Sequence, residues 1–130
     1  MISVIYVEND PDVASIVCFL SRKYGIPLHP LSTVKEALDW LTLTPADVIV
    51  SAYDMPGING LEFLKILRAW GDLTPFILFS DEETIEELAR AAAMYGSVRL
   101  VSKNRDLGKQ INHLVNMIRM AIQVSSNKNR

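Results

Sequence analysis

Cysteine is nearly absent from this chain. Cys18 is the single one in 130 residues, so no internal disulfide can form and a reducing compartment fits. Glycine and proline are sparse, at 6 each, which excludes collagen-like and low-complexity sequence. Positive charge is not in excess: 13 Lys and Arg stand against 15 Asp and Glu, a formal net charge of -2. With an isoelectric point near 5.6, the chain lacks the basic footprint of a nucleic-acid binder. No apolar run reaches the ~20 residues that a membrane helix needs. Met1–Val7 lacks the basic stretch that opens a secretory leader. The expectation is a cytoplasmic domain that meets neither nucleic acid nor membrane. The 2 histidines, His29 and His113, have no metal-ligand spacing to each other or to Cys18. Phosphate-binding glycine patterns (Gly-x-Gly-x-x-Gly or Gly-x-x-x-x-Gly-Lys-Ser/Thr) do not occur.

What is present is ordinary for a globular protein, with 49% hydrophobic and 22% charged residues. A chain of 130 residues makes one domain and buries roughly two-thirds of its unfolded surface. Short β-branched runs punctuate it: Ile2–Val7, Asp47–Ser51, Phe76–Phe79 and, more weakly, Val98–Val101. Near-continuous apolar strands suit a parallel sheet covered on both faces. His29-Pro30-Leu31 fits only an edge strand, because Pro27 and Pro30 donate no hydrogen bond.

Between the runs the period becomes 3.6. The stripes are Val13, Ile16, Val17, Leu20 and Tyr24; then Val34, Ala37, Leu38 and Leu41; then Leu61, Leu64 and Leu67. Ile85, Leu88, Ala89 and Ala92 form a fourth, and Ile111, Leu114, Val115, Ile118 and Ile122 a fifth. Pro11 after Asp10 suits a helix start, and Thr33 with Glu36 and Ser80 with Glu83 have capping-box spacing. Gly25, Gly71 and Gly96 sit where helices should stop. Trp40 and Trp70 fall late in helices, as packing groups, and Cys18 lies beside the first stripe as a small hydrophobe. The division expected is a domain over 1–124 and a polar tail over 125–130. Alternation of this kind predicts an α/β, doubly wound parallel sheet with helices on both faces. In such sheets ligands bind beyond the carboxyl ends of the strands.

Those ends carry Glu8-Asn9-Asp10, then Ala52-Tyr53-Asp54, then Ser80-Asp81, then Lys103-Asn104. Acidic groups, a hydroxyl and a lysine suit a hard cation with a phosphoryl group. On these residues the chain resembles the receiver domains of two-component response regulators, from about Ile2 to Ile122. Asp54-Met55-Pro56-Gly57-Ile58-Asn59-Gly60 follows that family's x-Met-Pro-x-x-x-Gly segment. Tyr6-Val7-Glu8-Asn9-Asp10-Pro11 resembles its acidic turn, Phe79-Ser80 its hydroxyl position and Ser102-Lys103 its lysine. The resemblance implies a five-stranded (βα)5 sheet of order 2-1-3-4-5. It also implies phosphoryl transfer to an aspartate after strand three, with Mg²⁺ held by that aspartate, the acidic turn and a backbone carbonyl.

The sequence departs from this pattern at its reactive positions. The acceptor position is Ala52, and a methyl group is no nucleophile. The metal-holding pair is Glu8-Asn9, of which only Glu8 is charged, and Asp54 falls at the backbone-carbonyl position. Mg²⁺ affinity at Glu8, Asn9 and Asp54 should therefore be weak or lost, and no other cofactor is implied. The aromatic switch position on strand five is Leu100. Ser80 and Lys103 match, yet each has a structural alternative: Ser80 as a helix cap, Lys103 as an ion-pair partner of Glu8.

The reading is a non-enzymatic, degenerate receiver that works as a protein-interaction module. Its partners would be a histidine kinase or another signalling protein, with homodimerisation through helix four, strand five and helix five. Alternatives are an active receiver using Asp54 or Glu8, a receiver in which Ala52 replaces an original aspartate, and a small-molecule or nucleotide binder on the same fold.

Overall fold

The computed structural model describes residues 2–80, 82–102 and 106–128. The elements alternate throughout. They are β1 (Val4–Val7), α1 (Pro11–Lys23), β2 (His29–Leu31), α2 (Val34–Leu43), β3 (Val48–Ala52), α3 (Gly60–Ala69), β4 (Phe76–Ser80), α4 (Glu82–Ala92), β5 (Val98–Ser102) and α5 (Leu107–Lys128). The strands form one 5-stranded parallel sheet of order β2-β1-β3-β4-β5. The doubly wound order expected from the resemblance is thus observed. The Pro-containing β2 lies at an edge, where Pro30 leaves no ladder bond unmade.

Alternate strand residues feed two cores, as the period of two requires. Val4, Tyr6, Val48, Val50, Ile77, Phe79 and Val101 pack with Val17 of α1 and Ile111, Leu114, Val115 and Ile118 of α5. Ile5, Val7, Ile49, Phe76 and Leu78 pack with Val34 and Ala37 of α2, Phe63, Leu64 and Leu67 of α3 and Leu88 of α4. Phe63 meets Phe76 edge to face at 5.4 Å. Burying each side chain of this size contributes ~1.5–3 kcal/mol, which offsets the ordering entropy of the helices that carry them.

Helix starts follow local chemistry. The Asp10 carboxylate accepts from the Asp12 and Val13 N–H groups at 3.0 and 3.3 Å, with Pro11 at the first helical position. Thr33 accepts from the Glu36 N–H at 3.1 Å, whereas Glu36 reaches back to Ser32 and not to Thr33. Gly25 and Gly71 take positive φ just past α1 and α3, and Gly96 does so in the turn before β5. The Ser80–Glu83 pairing expected from spacing involves a Glu83 side chain outside the described residues.

The structure corrects the sequence reading in several places. On α1 the core-facing set is Ala14, Val17, Cys18, Leu20 and Ser21, so Val17 and Leu20 of the expected stripe pack inward while its Val13, Ile16 and Tyr24 are 37–47% exposed. Ser21 occupies the core because its hydroxyl donates to the Ile26 carbonyl at 2.7 Å. Trp40 is partly buried, with its ring 5.3 Å from that of the exposed His29. Trp70 caps the C-terminus of α3 and is 56% exposed, so it is not a packing group.

Arg68, which no sequence motif singled out, clamps the end of the domain opposite the strand carboxyl termini. Its guanidinium donates to the carbonyls of Asp72, Thr74, Tyr95 and Gly96 at 2.7–3.1 Å, and to Ser97 at 3.4 Å. Burial lowers its pKa and the Asp72 carboxylate works against that. Among the described residues no helix is long and apolar enough to cross a membrane.

Candidate functional site

The carboxyl ends of β1, β3 and β4 bring the expected residues to one edge of the sheet. Glu8 follows β1, and its N–H donates to the Leu31 carbonyl at 3.0 Å, extending the β1–β2 ladder by one step. Its side chain is buried, 6% exposed, and accepts from the Asp10 N–H at 3.3 Å. The neighbouring Asn9 is exposed. Asp10 is exposed as well and spends its carboxylate on the cap of α1. The acidic turn therefore presents one buried carboxylate, from Glu8. That charge and burial both raise the Tyr6 hydroxyl's pKa, burial being the larger cause.

Ala52 closes β3 with 1% exposure, inside the apolar cluster that includes Met55, Phe63, Leu64, Leu78 and Leu88. The backbone beyond it is tightly pinned. The Tyr53 N–H donates to the Phe79 carbonyl at 2.7 Å, and the Gly60 N–H donates to the Tyr53 carbonyl at 2.9 Å. This fold-back explains Gly60. A Cβ there would collide with the Ala52 carbonyl oxygen and lie 2.6 Å from Leu78 Cδ1 and 3.0 Å from Tyr53 Cα. Asn59 and Glu62 form a reciprocal capping box at the start of α3, with bonds of 2.9 and 3.3 Å. The Asn-x-x-Glu spacing would have revealed it in the sequence. Asp54 lies exposed in the loop between Tyr53 and Met55, and Met55 is buried.

Ser80 ends β4 with 2% exposure, opposite Ser102 of β5. Leu100 is half-buried, opposite Leu78, and packs on the cluster that holds Ala52. The phosphate-site lysine expected at Lys103 lies outside the described residues, as does its suggested pairing with Glu8. Among the described residues, no group of three or more His, Cys, Asp and Glu side chains converges in a way that could hold a metal ion. Cys18 is half-buried, and burial pushes its thiol pKa up against the opposing pull of Arg22. His113 is exposed on α5.

Comparison with known proteins decides the family, since residues 4–118 match the response regulator receiver domain. The chain belongs to this family. The transcriptional regulatory protein MalR of Bacillus subtilis (strain 168) is 33% identical to this receiver over 105 residues. That alignment covers 79% of this chain and 44% of MalR, so the chain spans less than half the length of its curated relative. Among solved structures, the receiver domain of the Francisella response regulator 1452 superposes with a TM-score of 0.83 at 25% identity. It covers 96% of this receiver and 99% of the Francisella chain. The chemotaxis response regulator CheY4 of Vibrio cholerae shares the fold, with a TM-score of 0.76 at 22% identity over 90% of this chain and 98% of its own.

Proposed function

We propose that this receiver does not accept a phosphoryl group at its strand-three position and signals through protein contacts. The observation that carries the reading is Ala52: an apolar methyl, 1% exposed, at the position where the family's acceptor carboxylate would stand. The methyl packs within a cluster of Met55, Phe63 and Leu78 and offers no lone pair for attack.

The remaining donors do not fit a tightly held Mg²⁺. That ion sheds water reluctantly and is usually bound through one or two carboxylates plus substrate phosphates. Here Glu8 supplies one buried carboxylate, Asn9 a neutral amide, and Asp10 is committed to capping α1. No step of the reading runs through a metal. Leu100 in place of the strand-five aromatic supports the same view, since a half-buried aliphatic side chain lacks the polar tip of a Tyr that would trade solvent for core. Ser80 acts as a buried β4 terminus, opposite Ser102.

The partners in this reading are proteins: a histidine kinase, or the effector segment of a longer regulator. Intact mass after incubation with a small phosphodonor and Mg²⁺ tests it. The expected result is no added phosphoryl mass on the native chain and a gain on the Ala52→Asp, Asn9→Asp double variant. A phosphoryl mass on the native chain that disappears in Asp54→Asn would contradict the reading and make Asp54 the acceptor.

A further inference from the structure

Helix α1 carries two apolar faces, and the core uses one. Ala14, Val17, Cys18 and Ser21 face inward, with Leu20 at the margin of that face. Directly opposite lie Asp12, Ile16, Phe19 and Lys23, which at ~100° per residue fall within an arc of about 60°. Ile16 is 47% and Phe19 57% exposed, and Asp12 and Lys23 are both exposed. Their spacing of four, three and four residues is that of a coiled-coil seam.

The seam also has a direction. It reads acid, aliphatic, aromatic, base, with its midpoint between Val17 and Cys18. A second copy laid antiparallel about a two-fold axis through that midpoint sets Ile16 against the partner's Phe19. The same operation sets Asp12 against the partner's Lys23, and each contact occurs twice. A parallel arrangement would oppose acid to acid and base to base. The Lys23 ammonium already rests 4.8 Å from the centroid of the Phe19 ring, where an incoming carboxylate meets it beside the aromatic.

We propose that α1 is a self-complementary surface through which two copies of this chain associate antiparallel. The contact is isologous, as closed two-fold dimers require. One helix of this length presents a seam of ~20 Å. That is short of a standard stable interface, so the dimer is weak and concentration-dependent. Its charge pairs lie at the rim, so raising the salt weakens it.

Sedimentation equilibrium on the native chain, from micromolar to about 1 mM protein at low and high salt, tests the proposal. The expected result is a monomer–dimer equilibrium that high salt shifts toward monomer. Ile16→Ser and Phe19→Ser should each weaken it roughly tenfold. Asp12→Lys and Lys23→Asp should each weaken it, and the two together should restore it, because the swapped charges face each other again. Far-UV circular dichroism checks that each variant keeps its helices. Should a charge variant fail to fold, cross-linking replaces it: chains carrying Ile16→Cys with Cys18→Ser are mixed with chains carrying Phe19→Cys with Cys18→Ser. Oxidation should then join unlike chains in preference to like ones. A chain monomeric at every concentration overturns the proposal. So does a dimer indifferent to both charge reversals, which would place the contact on another face such as α4–β5–α5. A native chain that stays monomeric yet loses kinase binding on Phe19→Ser overturns it too, and assigns the seam to the kinase.

Discussion

At the residue scale, two positions set how the strand ends are built. Gly60 packs against the backbone of Ala52 and Tyr53, so any β-carbon must displace main chain or Leu78. Gly60→Ala should therefore destabilise the fold by ~1–3 kcal/mol, the usual cost of overpacking, measured as a fall in urea midpoint at unchanged slope. An unchanged midpoint would mean that the close approach is relieved cheaply. Tyr6 is 2% exposed, and burial aided by the Glu8 charge raises its pKa above the ordinary 10.0. A raised folded pKa contributes stability that is fully present below the unfolded value and lost as pH climbs past it. Above about pH 10 the unfolded phenol has released its proton while the folded one keeps it, so stability falls by up to ~1.4 kcal/mol per pH unit. Urea titrations of the native chain and Tyr6→Phe across that range should differ by this slope. Parallel curves would contradict the assignment to Tyr6.

At the element scale, the helices owe their positions to caps and clamps as much as to stripes. Asp10→Ala removes both cap bonds of α1 and should cost ~1 kcal/mol by chemical denaturation. Arg68 ties the α3–β4 connection to the α4–β5 turn through a planar fork of donors. Arg68→Ala should cost about 2 kcal/mol and raise amide exchange at Tyr95–Ser97, with Arg68→Lys recovering less than half because an ammonium cannot fork. Much of this scale was legible in the sequence. The β-branched runs and the interleaved 3.6-residue periods give the doubly wound order of elements, and Pro27 with Pro30 put β2 at an edge. Glycines mark the ends of α1 and α3. The α1 stripe held only in part: Val17 and Leu20 pack on the core, but Val13, Ile16 and Tyr24 face solvent, while Ser21 enters the core on a hydrogen bond to Ile26. Periodicity reports that a face is apolar, not which neighbour covers it. Arg68 was silent for a different reason: its partners are backbone carbonyls, which leave no trace in residue types.

At the scale of the whole molecule, the receiver fold holds the site that the proposed function reads as unable to accept a phosphoryl group. Glu8 follows β1, Ala52 ends β3 and Ser80 ends β4, so these residues stand at the carboxyl ends of parallel strands, where motif spacing put them. Asp10 before Pro11 likewise announced the cap of α1, whereas burial of the Ala52 methyl was not legible, because it depends on how the loops pack. A ligand stabilises a fold only as far as it binds, by RT ln(1 + [L]/Kd). Thermal melts titrated with Mg²⁺, with and without beryllofluoride, therefore test the central claim most directly. The native chain should keep the same Tm throughout, while the Ala52→Asp, Asn9→Asp variant should rise with Mg²⁺ and rise further with beryllofluoride. A native chain stabilised as strongly as the variant would contradict the account and show that another carboxylate has taken over the site.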